Sequence, residues 1–179
     1  DTSHVGLLAL VFTERRNVAR RAAVRQTWLS HAWSLPSNFT WRYAFVEARA
    51  PRTGASKQSA LRGDTLVLAS VEESYLNLVH KTVAALRWSL AHVPFDTLLK
   101  TDDDSFVCVA RLLEQLRELP RTGVYLGAIS KNHKVITSPR HRHFARQRFW
   151  PAVPPGQLPS PLRWPGSTCG TYKKLGGRR

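Results

Sequence analysis

The chain has 179 residues, 42% of them hydrophobic with six Trp, which is enough for one domain with a sizeable core and excludes a wholly unstructured or fibrous chain. Lys and Arg number 27 against 12 Asp and Glu, a formal charge of +15, so acidic partners are expected: nucleotide phosphates, anionic polysaccharide, nucleic acid or a membrane surface. Arg exceeds Lys by 20 to 7, favouring bidentate phosphate or sulfate contacts, and two cysteines, Cys108 and Cys169, exclude a disulfide framework or a zinc site.

Val5 to Phe12 form a continuous apolar run of strand length, the pattern of a strand buried on both faces. The polar loop Thr13-Glu14-Arg15-Arg16-Asn17 follows, and residues 18–28 are predicted to be a helix with Val18, Ala22, Ala23, Val24 and Trp28 on its apolar side. A strand, a short polar loop and a helix leave the loop and the helix N-terminus free to receive phosphate. No Gly-rich dinucleotide fingerprint or P-loop accompanies them. Arg21 and Arg25 are four apart on one helix face and repel each other unless that face meets an anion or is solvated.

Residues 41–47 are the second predicted strand, 48–62 a polar surface loop with one short helix, and 64–69 the third strand, introduced by Gly63-Asp64. Residues 72–91 form the longest helical pattern, with Leu76, Val79, Val83, Leu86 and Leu90 as the expected core face. Pro94 ends that helix and residues 97–100 are the fourth strand. A helix over 109–119 and a fifth strand over 124–129 complete the pattern. Alternating strands and helices imply an α/β fold with a mostly parallel sheet flanked by helices. From Lys131 the pattern degrades: 139–148 is dominated by Arg and His, and 151–165 holds six prolines. Residues 1–138 are therefore the expected folded region and 139–179 a basic, irregular Pro/Gly/Arg-rich tail.

Three of the twelve acidic residues stand together as Asp102-Asp103-Asp104, between the apolar pairs Leu98-Leu99 and Phe106-Val107. Adjacent carboxylates repel, and a hard divalent cation held through phosphate oxygens relieves that repulsion. An apolar strand ending in this triplet places it at the carboxyl edge of a sheet, where open α/β sheets bind ligands. The competing reading is a solvated turn that caps the following helix.

With these pieces placed, the chain resembles the β1,3-glycosyltransferase family of animal Golgi enzymes, β1,3-galactosyltransferases among them. Residues 21–28, Arg-Ala-Ala-Val-Arg-Gln-Thr-Trp, are similar to the family's R-x-x-I-R-x-T-W block, and residues 72–82 to its D-x-Y-x-N-L-T-x-K-T block, with Glu at the usual Asp and Val79 at the usual Thr. Residues 99–107 match the K-x-D-D-D-x-F-V block that carries the metal-binding DxD motif. The resemblance covers about residues 4–138. It implies a GT-A fold, here apparently truncated, and transfer of a sugar, most simply galactose, from a UDP-sugar donor to a glycan acceptor in β1,3 linkage with Mn²⁺ as cofactor. It also implies a lumenal domain in the Golgi membrane, single-pass type II, anchored by a segment outside this sequence, with no nucleic acid partner.

Carried over residue by residue, the resemblance implies Asp102 and Asp104 as metal ligands, with Asp102, Asp103, Arg21, Arg25 and Lys81 contacting the donor nucleotide. Packing of its own helix is an equal reading of Lys81, while Tyr75 and Asn77 are expected to hold the helix start. Asn38-Phe39-Thr40 is a formal N-glycosylation acceptor at Asn38. The family's glycine-rich strand and the acidic block with the catalytic base are not recognisable; beyond Asp104 the carboxylates are Glu114 and Glu118, poor candidates for a base. A catalytic base is thus expected downstream of this sequence. Two alternatives stand beside the transferase: an inactive fragment that keeps UDP and metal, and a polyanion-binding basic protein. Residues 139–179 are expected to arise from a splice form, a frame change or a gene-model error, and the exposed sheet edge of a shortened domain is expected to lower solubility.

Overall fold

The computed structural model describes residues 4–30, 39–50, 59–120, 123–127, 136–141 and 144. Two units are distinguished, which divide the described residues after Glu114. The first holds a five-stranded sheet of β1 (Val5–Phe12), β2 (Trp41–Arg49), β3 (Ala60–Arg62), β4 (Thr65–Glu72) and β5 (Phe95–Asp102), in the order β3-β4-β2-β1-β5. It also contains helices α1 (Val18–Gln26) and α2 (Leu78–His92) and the start of α3 (Val109–Glu118). β1 pairs in parallel with β2 and β5, and β2 in parallel with β4; only the β3–β4 hairpin is antiparallel. The mostly parallel α/β sheet of the sequence reading is therefore present.

β1 is an interior strand, between β2 and β5, and its continuous apolar run is buried from Leu7 to Phe12. Leu8, Leu10, Phe12, Ala44, Val46, Leu66 and Leu68 build one face of the sheet, and Ala85 of α2 sits against them, flanked by Ala84 and Trp88. Gly6 allows the chain before β2 to come close: its N–H donates to Thr40 O at 2.8 Å, and a Cβ there would stand 3.1 Å from the same oxygen. Gly63 turns the β3–β4 hairpin with φ of +60°, a conformation that costs side-chain-bearing residues energy.

Several expectations need correction. In α2 the buried residues are Lys81, Ala85 and Ser89, one row at i, i+4 and i+8. The expected core face is exposed instead, with Leu76 83%, Val79 71% and Leu90 72% accessible. Two rows of the helix share one period, and the row with the small residues Ala85 and Ser89 is the one that lets it approach a sheet surface already filled by Leu and Phe. Residues 72–77 are not its first turn either: Glu72 ends β4 and the helix starts at Leu78. On α1 the buried residues are Arg21 and Val24, while Val18 is 62% exposed.

Residues 60–62, expected in a loop, form the edge strand β3, because the turn at Gly63 folds them back on β4. The fifth strand expected over 124–129 is absent among its described residues, Val124 to Gly127, which pair with no strand. Cys108 is a half-buried free thiol. Asn38, Cys169 and most of the tail lie outside the described residues. No helix among the described residues is long and apolar enough to cross a membrane. In the second unit the described residues include the end of α3 and a turn in which His141 N–H donates to Ser138 O.

Candidate functional site at the acidic turn

β5 runs beside β1 with Asp102 in register with Phe12, so both strands end at one level and their loops meet. The chain turns through Asp103 and Asp104, and Ser105 N–H donates to Asp102 O at 3.1 Å. Asp103 N–H donates to Phe12 O at 3.0 Å, extending the β1–β5 pairing by one bond.

This turn divides the triplet. Asp103 is buried, and its carboxylate accepts hydrogen bonds from Thr13 Oγ1 at 2.7 Å, Asn17 Nδ2 at 2.8 Å and Arg20 at 3.0 Å. Asp102 and Asp104, one residue to either side, are exposed, with 58% and 44% of their side chains accessible. The loop and helix start foreseen as open to phosphate thus already hold one carboxylate, with Asn17 giving its amide to Asp103 and not to the α1 backbone.

Each outward carboxylate has a cation near it. Lys100 Nζ stands 3.3 Å from Asp102 Oδ1 and rests over the Phe12 ring, 4.5 Å from its centroid. Arg20, held at Asp103, lies 4.0 Å from Asp104 Oδ2. The hydrogen bond to Asp103 is the main cause that pushes the Arg20 pKa up, followed by the charge of Asp103 and, more weakly, that of Asp104. Arg20 and Lys100 are the cations at this site that sequence reasoning missed; Arg20 lies next to the first block and outside the family pattern, and Lys100 stands in the third block with no role assigned to it.

The three basic residues that resemblance assigned to the donor are put to other uses. Arg21 is buried and pairs with Glu47 at 2.9 Å, its remaining donors going to the carbonyls of Glu14 and Arg15 at 2.7 and 3.0 Å. Lys81, 3% exposed, donates to Thr13 O at 2.7 Å and pairs with Glu73 at 2.7 Å. Arg25 holds Asp64 in a bidentate pair at 2.7 and 3.0 Å and stacks over Phe45. Asp64 directly precedes β4, three strands from β5, and at a strand spacing of about 4.8 Å that is roughly 14 Å across the sheet. The anion that the Arg21–Arg25 face meets is therefore internal, Glu47 for one and Asp64 for the other.

These buried pairs still bear on the acidic turn. Lys81 and Arg21 fix the loop of residues 13–17 from two sides, and that loop fixes Asp103. Asn77 ties the start of α2 to the end of β4 by donating to Glu72 O at 3.1 Å, as expected of it, whereas Tyr75 is 48% exposed. Glu114 and Glu118 are exposed on α3.

No group of three or more His, Cys, Asp or Glu side chains able to enclose a metal occurs among the described residues. Two outward carboxylates on a rigid turn do suit a hard cation that takes its other ligands from phosphate oxygens and water.

The Galactosyltransferase family model matches residues 19–154. Mouse beta-1,3-galactosyltransferase 6 is 34% identical over 148 residues, covering 79% of this chain and 46% of that protein. Human beta-1,3-galactosyltransferase 4 is 29% identical over 181 residues, covering 81% and 48%. Hydroxyproline O-galactosyltransferase GALT2 of Arabidopsis thaliana is 28% identical over 131 residues, covering 70% and 19%. The chain spans about half the length of the two beta-1,3-galactosyltransferases.

Proposed function

This chain belongs to the galactosyltransferase family, and we propose that it forms the donor-binding part of a UDP-sugar-dependent β1,3-galactosyltransferase acting on a glycan acceptor, with Mn²⁺ as cofactor. The observation that carries the proposal is the division of the acidic turn. Asp103 is spent on the β1–α1 loop, leaving Asp102 and Asp104 facing out with no strong internal bond. In this reading Asp104 and Asp102 hold the metal, and Asp102 also faces the nucleotide. Asp103 orients the pair without touching the ligand.

A divalent cation there would supply a Lewis acid for the charge that builds on the departing diphosphate. The protein contributes the fixed carboxylates, the rigid turn and the neighbouring cations Arg20 and Lys100, which add positive charge where phosphate oxygens would lie. The chain's own residues around the turn supply no carboxylate placed to remove a proton from an acceptor hydroxyl. A general base contributes commonly about 10²- to 10⁴-fold, and we assign it to no residue of this sequence. The acceptor motif at Asn38 fits a domain that faces the lumen of the secretory pathway, and we propose the Golgi membrane as its location.

The polyanion-binding alternative finds less support, because Arg20, Arg21, Arg25 and Lys81 all face carboxylates within the fold. The test is transfer or hydrolysis of UDP-galactose against UDP-N-acetylglucosamine with Mn²⁺ and a panel of glycan acceptors, alongside displacement of a fluorescent UDP analogue. Displacement by UDP-galactose that requires Mn²⁺ supports the proposal. Displacement indifferent to metal, or binding to heparin with none to UDP, would overturn it.

A further inference from the structure

Both outward carboxylates of the acidic turn have a cation beside them, and the two cations differ from every other internal cation of the site. Arg21 and Lys81 are buried in pairs at 2.9 and 2.7 Å. Lys100 and Arg20 keep 37% and 49% of their side chains in solvent, and they reach Asp102 and Asp104 at 3.3 and 4.0 Å. Exposed pairs at such distances are weak, so they exchange readily for a better partner. Each cation also has a second, independent anchor near the turn. Arg20 donates to buried Asp103 at 3.0 Å, and Lys100 lies 4.5 Å above the Phe12 ring.

We infer that Arg20 and Lys100 are exchangeable counter-ions that hold off a bare divalent cation from Asp102 and Asp104 and move to the phosphate oxygens of a nucleoside diphosphate when cation and nucleotide arrive together. The inference rests on the metal and diphosphate reading given above and adds a direction to it. A bare dication at Asp102 and Asp104 has to enter beside two fixed positive charges and take over carboxylates already neutralised by them. A diphosphate removes that obstacle, because it presents oxygens to the metal and to both displaced cations. The anchors at Asp103 and Phe12 keep the displaced groups at the turn. The energetic result is coupling between two ligands that is reciprocal by linkage: each binds more tightly when the other is present. It also gives the two cations opposite effects on the two ligands, which an ordinary phosphate-binding residue or a purely structural one would not have.

The experiment measures two quantities on the full chain and on Arg20→Gln and Lys100→Gln. Bound Mn²⁺ without nucleotide is read from the loss of the free-ion paramagnetic resonance signal, and UDP affinity is read calorimetrically at fixed Mn²⁺. Each substitution is expected to tighten bare Mn²⁺ binding by about threefold to fivefold, the size of one exposed ion pair. Each is expected to weaken UDP binding in Mn²⁺ by about fivefold or more. Arg20→Lys, which keeps the charge, is expected to stay close to the parent chain in both, and Lys100→Gln carries the test should Arg20→Gln melt early. Variants that bind bare Mn²⁺ no better than the parent, or bind UDP equally well, would overturn the inference while leaving the donor site intact. A parent chain that binds neither Mn²⁺ nor UDP would overturn the reading beneath it and the inference together.

Discussion

Thr13 donates its hydroxyl to Asp103 at 2.7 Å, joining residues 90 positions apart in sequence. Thr13 is also where the other two family blocks arrive: Lys81 donates to its carbonyl at 2.7 Å, and Arg21, 3.5 Å from its hydroxyl, holds the carbonyls of Glu14 and Arg15. A residue outside all three blocks thus connects them.

Removing the hydroxyl while keeping the shape tests this connection. Thr13→Val leaves the buried Asp103 carboxylate short of one donor, at a cost of roughly 1–3 kcal/mol. Denaturant melts should show that loss. Amide exchange should accelerate at Asp103 and Ser105, whose N–H groups bond Phe12 O and Asp102 O, more than at Val46 in the sheet centre. Thr13→Ser should restore most of both. Equal exchange in all three proteins would show that Thr13 does not hold the turn.

Arg25 and Asp64 give a pH signature at a place remote from the turn. The hydrogen bond from Arg25 is the main reason that Asp64 sits below the usual carboxylate range, with burial acting against it. A depressed folded-state value means that the pair stabilises above the unfolded carboxyl pKa, near about 4, and that this is lost as pH falls through the lower folded value. Arg25 itself stays protonated throughout. Asp64→Asn should therefore cost roughly 0.5–1 kcal/mol at pH 7, discounted for the 30–39% exposure of the two side chains. The gap from the parent should close below about pH 4. A gap that does not change with pH would sever the effect from ionisation. UDP binding should be unaffected, because Asp64 is three strands from β5.

The orientation of α2 can be tested by a pair of substitutions. Lys81→Ala leaves Glu73 with its buried cation removed, a change that typically costs about 3–5 kcal/mol. Leu90→Gln, on a residue 72% exposed, should change stability by no more than about 0.5 kcal/mol. The reverse order in thermal melts would mean that the leucine face is the buried one.

Gly63 is the fourth stability site. With φ of +60°, Gly63→Val should cost roughly 1–2 kcal/mol through backbone strain, since no neighbour lies within 4 Å of the added Cβ. Gly127, which has equal space but no left-handed φ, should accept Ala with little change. Similar losses at both would remove the conformational explanation.

What the sequence made legible follows from how strong each pattern was. β1 is a run of eight residues with no charged side chain, and its interior position needs such a run, since consecutive residues from Leu7 to Phe12 are buried and the strand is therefore covered on both faces. The acidic triplet was legible as a feature and located correctly at the end of β5, but its division into one inward and two outward carboxylates depends on tertiary bonds to Thr13, Asn17 and Arg20. Charged side chains are ordinarily exposed, so nothing local announced that Arg21 and Lys81 are buried. A partial signal existed in α2, where Lys81, Ala85 and Ser89 form a row of small residues ending in a lysine. The louder leucine and valine row has the same period and masked it. β3 has three exposed residues and no pattern at all, and is a strand only because Gly63 returns the chain to β4.

The central claim is that Asp102 and Asp104 hold a divalent cation against the diphosphate of a UDP-sugar. It is tested most directly by calorimetric titration of UDP into the full chain with Mn²⁺ and with chelator, repeated on Asp104→Asn. The account predicts UDP binding that needs Mn²⁺ and falls by at least about tenfold in the variant, with an unchanged melt, because Asp104 is exposed and makes no strong internal bond. Equal UDP affinity with metal and with chelator, or an Asp104→Asn chain that binds like the parent, would contradict it.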